Sequence, residues 1–336
     1  MTSPRTTVIV TQRERFSQFC NSLDSLYETK EPFDLIYVDM NSPQAIKEQL
    51  EREAIERGFR ILRLDQIVCQ NTARNVALKY ANTEYIIFAD NDVLLSNGWL
   101  DHLIDCADKT GAALVGPLYM EGPRERGIVH MAGGDVHIRV TEKGNYLVQS
   151  YIHARDHLGI VDSIILRRRP TELLEFHCAL IRKSLFDKVG SLDEKLPAVG
   201  DHDDLCIRAL QAGEKVYFEP AAVVHYEYSE PLLWCDMFYF FMRWGANWAN
   251  LSIQHFASKY NLAKDDPWRK SIARWMKKHR KDLPLPPMGG RIITAIVRTA
   301  FELVSDLSSP RTPSKVSETI DPDMKQRQPE PSPALR

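Results

Sequence analysis

No stretch of the 336 residues is apolar over the ~18–20 positions that a membrane-spanning helix needs. The first seven residues, Met1 to Thr7, lack the apolar core of a signal peptide, so the chain is expected in the cytosol. Neither sign of charge dominates: 43 Lys and Arg face 45 Asp and Glu, and the net charge of −2 excludes a globally basic nucleic-acid binder. The short basic patch Arg167 to Arg169 has no aromatic platform beside it, so no nucleic-acid partner is expected. The six cysteines include no Cys-x-x-Cys pair, which leaves zinc knuckles and redox motifs unsupported, and all six are expected to be reduced thiols. With 16 glycines and 19 prolines the chain is not collagen-like, and it contains no internal repeat. What remains is an ordinary globular composition, 44% hydrophobic and 26% charged, in a length of about two domains.

The first half alternates two periodicities. Short β-branched runs (Thr7 to Thr11, Phe33 to Val38, Phe59 to Leu64, Glu84 to Ala89, Ala112 to Gly116) predict strands. Between them, residues 15–27, 43–58, 71–81 and 99–110 carry helical spacing. Strands separated by helices of that length predict an α/β fold, with a mostly parallel sheet covered by helices on both faces. Such sheets bind ligands beyond the carboxyl ends of their strands. Residues 117–170 read as loops and antiparallel strands. A strand is expected over 176–181, then helices over 183–189 and 204–212. Strands over 215–219 and 222–226 follow, around Pro220. Beyond 230 come an aromatic stretch, a basic helix over 268–280 and an amphipathic one over 291–304. The last thirty residues hold six prolines and no aromatic side chain, which predicts a disordered tail.

At the end of the fourth strand stands Ala89-Asp90-Asn91-Asp92. Alternation along a strand turns Asp90 and Asp92 the same way, and paired carboxylates suit a hard cation such as Mg²⁺ or Mn²⁺ that also holds phosphates. The competing reading is a solvated turn. Arg74 lies early in the preceding helix, where a guanidinium meets a diphosphate bidentately; Asp39 follows the second strand, where it would contact a nucleoside or cap a turn. Farther on, Asp201, His202, Asp203 and Asp204 crowd a helix start. Capping explains one or two of these acids, and the others point to general-base work on an acceptor hydroxyl. His225 ends a β-branched strand, where an imidazole would complete the cation's coordination.

These pieces, in this order, resemble family 2 glycosyltransferases of the GT-A fold, a single Rossmann-like nucleotide-sugar-binding domain. The similarity spans about residues 6–230 and is carried by Thr7-Val-Ile-Val-Thr11, Tyr37-Val-Asp-Met-Asn-Ser42, Thr72-Ala-Arg-Asn75 and Glu84 through Asp92 on to Gly98-Trp-Leu100. Ala179 through Glu194, Asp204-Leu-Cys-Ile-Arg208 and Pro220 through His225 complete it. The resemblance implies inverting transfer of a sugar from a nucleotide-diphosphate donor to a hydroxyl of a glycan or lipid-linked acceptor. It implies Mn²⁺ or Mg²⁺ held by Asp90, Asp92 and His225. Thr11, Arg13 and Asp39 would line the nucleoside site, and Arg74 would face base or phosphates. One departure is visible: the family's acidic pair before Asp-Leu-x-x-Arg falls on Asp201-His202, so its second acid is replaced by histidine. Asp201, slightly ahead of Asp203, is expected to serve as base, with His202 as the alternative.

The expected organisation is a GT-A domain over 1–230, a helical C-terminal appendage over 231–305 and a tail over 306–336. The appendage is expected to pack on the catalytic domain through Met237 to Trp244, and its basic and amphipathic helices would lie on the inner membrane leaflet. Two other functions fit some of the same features. A nucleotidyltransferase would carry a glycine-rich loop after the first strand, and Gln12 to Phe16 has none. A non-catalytic sugar-nucleotide or glycan-binding scaffold would tolerate His202.

Overall fold

A computed structural model describes residues 3–122, 126–152, 166–226, 232–282 and 291–319. Four parallel strands form its heart: β1 (Thr6–Thr11), β2 (Phe33–Met40), β3 (Arg60–Leu64) and β4 (Tyr85–Asp90), in the spatial order β3-β2-β1-β4. The connecting helices are α1 (Phe19–Leu26), α2 (Gln44–Arg57) and α3 (Gln70–Leu78). Val8, Ile9 and Val10 are all buried, as are Ile86, Ile87 and Phe88, because the strands are covered on both faces.

Beyond β4 the direction changes. β11 (Cys178–Arg182) runs antiparallel to β4 and to β6 (Leu114–Glu121), and β12 (Val216–Tyr226) runs parallel to β6. The short strands β5 (Val93–Leu95), β7 (Ile128–Met131) and β10 (Arg169–Pro170) complete this half of an 11-stranded sheet. A separate antiparallel hairpin, β8 (Gly134–Thr141) and β9 (Gly144–Tyr151), stands apart. Four further helices follow along the chain: α4 (Trp99–Thr110), α5 (Leu185–Val189), α6 (Asp201–Gln211) and α7 (Met237–Arg243).

Several boundaries differ from expectation, each for a tertiary reason. α1 starts at Phe19 rather than near residue 15. The Asn91 side-chain amide donates to the Arg15 carbonyl (2.6 Å), and Asp236 accepts from the Phe16 N–H (2.7 Å), so residues 15–17 serve distant partners instead of a helix. α6 starts at Asp201 rather than 204, and its cap Gly200 adopts φ 83°. A Cβ there would lie 2.9 Å from Phe256 Cδ2, so only glycine fits both the left-handed turn and the space. The two strands expected around Pro220 are one, β12, with a register shift between Glu219 and Val223 that absorbs the proline. The tail expected to be disordered from 306 supplies β13 (Val316–Thr319), antiparallel to β3 at the sheet edge; residues 320–336 lie outside the described residues.

The C-terminal helices α7, α8 (Ala246–Lys259), α9 (Pro267–Asp282) and α10 (Arg291–Asp306) share the sheet's core. Met237, Tyr239, Phe240 and Phe241 are fully buried, the Tyr239 hydroxyl donates to the Gln12 carbonyl (2.8 Å) and the Trp244 indole donates to Glu14 (2.7 Å). No described helix is long and apolar enough to cross a membrane.

Candidate active site

Register brings the site together. Thr11 pairs with Asp90 on one side and Val38 on the other, so β1, β2 and β4 end level at one carboxyl edge. Antiparallel β11 pairs Cys178 with Ala89, which sets His177 beside Asp90; the Asp90 N–H donates to the His177 carbonyl at 3.1 Å. The first turns of α3 and α6 close on the same edge.

Asp90 and Asp92 occupy opposite electrostatic situations. Asp90 Oδ1 accepts from Gln70 Nε2 (2.9 Å) and Arg74 Nη2 (3.1 Å), its Oδ2 lies 3.0 Å from His177 Nδ1, and Arg13 Nε stands 3.6 Å away. Burial opposes its charge, yet His177, Arg74 and Arg13 hold the carboxyl below its ordinary value. Both oxygens of Asp92 are buried with no hydrogen-bond partner among the described residues. Burial, with Asp90 and Glu14 nearby, outweighs the attraction of Arg13 and Arg15 and pushes the Asp92 carboxyl up to about 7. A buried, unsatisfied carboxylate is costly unless something neutralises it, and a divalent cation does so. The donor set therefore fits a cation at Asp92, while Asp90, expected as its equal partner, is committed to protein donors. His225 pairs in register with Leu94 on β5, two residues beyond Asp92, and is buried.

Arg13 is buried, with its guanidinium 4.6 Å from the Tyr226 ring centre and 5.8 Å from that of Trp244. Among the described residues its Nη1 and the Thr11 hydroxyl are buried without hydrogen-bond partners, as the Asp92 oxygens are along the same edge. Two expected ligand contacts are otherwise engaged. Asp39, expected at the nucleoside, accepts from Arg63 Nε at Oδ2 (2.8 Å) and from the Ser42 N–H at Oδ1 (2.9 Å), which offsets the cost of its complete burial. Arg74, expected to stand open to base or phosphates, lies in the second turn of α3 and bridges Asp90 to Asp201 (Nη1 to Oδ2, 3.1 Å), with Phe176 4.7 Å beneath it. It is the strut between the two acidic clusters.

In the first turn of α6, His202 Nδ1 lies 3.4 Å from Asp201 and Nε2 lies 3.7 Å from Asp203. Burial opposes the imidazolium, but Asp203, Asp201 and Glu175 push the His202 imidazole up to about 9. Against its burial, Asp201 is held well below the carboxylate range by His202 and Arg74. Burial raises Asp203 despite His202 and Gln149, whose amide donates to it at 2.7 Å. Asp204 faces away from these groups, paired with Arg208 (2.8 Å) and accepting from the Tyr260 hydroxyl (2.7 Å).

The sequence reading missed three residues. His130 on β7, with Glu175 and His177 just before β11, each offer a ligand atom within 4.8 Å of the others. The available signal was the Glu-x-His alternation of 175 and 177, which places both on one face; their pairing with His130 depends on long-range strand order.

Comparison with known proteins gives the architecture its class. A model of glycosyl transferase family 2 matches residues 6–190, and the chain belongs to that family. The pre-mycofactocin glycosyltransferase of Mycobacterium tuberculosis is 27% identical over 184 residues, covering 54% of this chain and 35% of that protein. The O-antigen biosynthesis protein RfbC of Myxococcus xanthus is 23% identical over 224 residues, covering 64% of this chain and 16% of that one. The chain thus spans about a third of the mycobacterial relative and less of the other. Among solved structures, the mannosyltransferase PcManGT of Pyrobaculum calidifontis, in complex with GDP-Man and Mn²⁺, aligns at a TM-score of 0.51 and 16% identity over 90% of this chain and 80% of its own. GalNAc-T7, with UDP, GalNAc and Mn²⁺, aligns at 0.52 and 14% identity over 84% and 59%. The shared fold is GT-A.

Proposed function

We propose that this protein transfers a sugar from a nucleoside-diphosphate donor to a hydroxyl of a glycan or lipid-linked acceptor, with inversion at the anomeric carbon. The observation that carries the reading is Asp92, a buried carboxylate with no hydrogen-bond partner among the described residues, at the carboxyl edge of β4. Asp92 and His225 would hold Mn²⁺ or Mg²⁺, with Asp90 beside them. When bound, that ion supplies positive charge to a diphosphate leaving group. Arg13, beside Asp92, adds fixed positive charge, and Thr11 lines the nucleoside side. The Mn²⁺ complexes of PcManGT and GalNAc-T7 support the choice of ion.

For the base we favour Asp203. Near neutral pH His202 already carries a proton, and Asp201 is an anion locked to Arg74 and His202. Asp203, raised by burial and held by one amide, is the stronger base of the two carboxylates. In the step, the acceptor oxygen bonds to the anomeric carbon as the bond to the diphosphate breaks, and the hydroxyl proton passes to Asp203.

We further place the molecule at the cytoplasmic face of a membrane. On α10, Ile296, Leu303 and, just beyond the helix, Leu307 are 63%, 63% and 84% exposed while Phe301 stacks inward on Phe241. Lys270, Arg274, Lys277 and Lys281 are exposed on neighbouring α9. An apolar stripe flanked by basic side chains suits an anionic leaflet. The six free thiols support a reducing compartment.

The first experiment is calorimetric titration with UDP, GDP and dTDP, with and without Mn²⁺, followed by turnover of the matching nucleotide sugars. Metal-dependent binding of one nucleotide, with turnover of its sugar, supports the reading. Binding without turnover of any donor would leave a non-catalytic sugar-nucleotide module, and no binding by folded protein would overturn both.

A further inference from the structure

On the Oδ2 side of Asp90, away from Arg74, lies a group of side chains to which glycosyl transfer assigns no task. His130 Nε2 stands 2.9 Å from Glu175 Oε2, and His177 Nε2 stands 3.5 Å from the same oxygen. We propose that His130, Glu175 and His177 form a binding site for a divalent transition metal of the zinc type, separate from the cation at Asp92.

Three observations carry this. The first is donor chemistry: two imidazoles and one carboxylate suit zinc and its neighbours, whereas the oxygen of Asp92 suits Mg²⁺ or Mn²⁺. The second is convergence, since one ligand atom from each residue falls within 4.8 Å of the other two, and Glu175 and His177 are buried. The third is what stands behind the imidazoles. A metal-bound histidine almost always sets its other ring nitrogen against a carboxylate or carbonyl, which fixes its tautomer and strengthens it as a ligand. Here His177 Nδ1 lies 3.0 Å from Asp90 Oδ2, and His130 Nδ1 lies 3.7 Å from Glu121 Oε2. Both histidines thus present Nε2 to the centre with a carboxylate at their backs. The Tyr226 ring stacks on His177 at 4.5 Å and that of Tyr151 lies 6.2 Å from His130, which adds aromatic walls.

The arrangement also accounts for Asp90, whose Oδ2 is engaged by His177. Three protein ligands leave a fourth position open to water or a substrate oxygen. In the metal-free protein, a hydrogen bond between Glu175 and His130 (2.9 Å) and one between His177 and Asp90 (3.0 Å) hold the same residues together.

The test uses the full chain stripped with a chelator, titrated with Zn²⁺ alone and with Co²⁺ alone, with no nucleotide present. We expect one Zn²⁺ per chain. The Co²⁺ complex should show visible bands of nitrogen and oxygen coordination and no near-ultraviolet thiolate band. His130→Gln, at a half-buried position, should weaken Zn²⁺ by more than about tenfold, since a group that merely orients a ligand is itself worth roughly 10–100-fold. Asp92→Asn should leave Zn²⁺ binding intact. No binding, full-affinity binding in His130→Gln, a thiolate band, or loss in Asp92→Asn would each overturn the proposal. If His130→Gln fails to fold, the wild-type Co²⁺ spectrum and the Asp92→Asn titration still decide it.

Discussion

Asp90 and Asp92 are two residues apart and do different work. Asp90 is saturated by Gln70, Arg74 and His177, whereas Asp92 has no hydrogen-bond donor among the described residues. An uncompensated buried carboxylate destabilises the ligand-free protein, so replacing it with a neutral isostere relieves that cost even as it removes the proposed ligand of the cation. Asp92→Asn should therefore raise the melting temperature of the ligand-free protein while abolishing Mn²⁺-dependent nucleotide affinity. Calorimetry and thermal unfolding on one sample check both; an Asp92→Asn protein less stable than wild type would mean the carboxylate has a partner after all. The same reasoning separates the candidate bases. Asp203→Asn should lower kcat by roughly 10²–10⁴, the usual worth of a general base, with donor binding unchanged. Asp201→Asn, which unpairs one end of Arg74, should instead weaken the folded state along with activity. Urea midpoints taken beside kcat distinguish these outcomes.

At the scale of elements, the alternation of strand and helix was readable because each element in β1 to β4 is declared by its own local period. β11 was readable as a strand but not as an antiparallel insertion beside β4, since strand order depends on pairing between segments 89 and 178 that no local pattern encodes. His177 was missed for that reason. The contact of α8 with the catalytic fold was equally silent, because it is made by single side chains. Asp193, after α5, accepts from His255 (2.9 Å) and Lys259 (2.8 Å) on α8. Although burial opposes its charge, Lys259 and His255 hold the Asp193 carboxyl down at about 2. A carboxyl depressed in the folded state lends stability that is complete above its unfolded value of ~3.9 and is lost as pH falls through the folded value. The urea midpoint of Asp193→Asn should thus lie below that of wild type at neutral pH, and the gap should narrow as pH falls from ~4 toward 2. A gap that does not change with pH would assign the effect to packing.

For the whole molecule, the question is what faces which way. One edge of the sheet gathers the acidic site, while α9, packed on α8, and α10, packed on α7 and α8, present basic and apolar side chains outward. Helical periodicity made both helices legible, yet which face of α10 turns inward is decided by Phe241, whose ring stacks on Phe301 at 5.7 Å. That contact leaves Ile296, Leu303 and Leu307 outside. A stripe of this kind binds a bilayer through buried apolar area plus attraction to anionic lipid, and the attraction is screened by salt. The protein should float with vesicles containing phosphatidylglycerol and not with purely neutral ones, and binding should fall as salt rises. Leu303→Glu should abolish flotation without altering nucleotide affinity, since the residue is 63% exposed and belongs to neither acidic cluster. If Leu303→Glu floats as wild type does, α10 is not the contact; if wild type self-associates and ignores vesicles while Leu303→Glu is monomeric, the stripe is an interface between copies. Docking through α10 would hold the carboxyl edge of the sheet at a fixed height above the leaflet, so the membrane reading also makes a kinetic claim. Turnover of a lipid-linked acceptor should rise on anionic vesicles, while turnover of a soluble acceptor should not change.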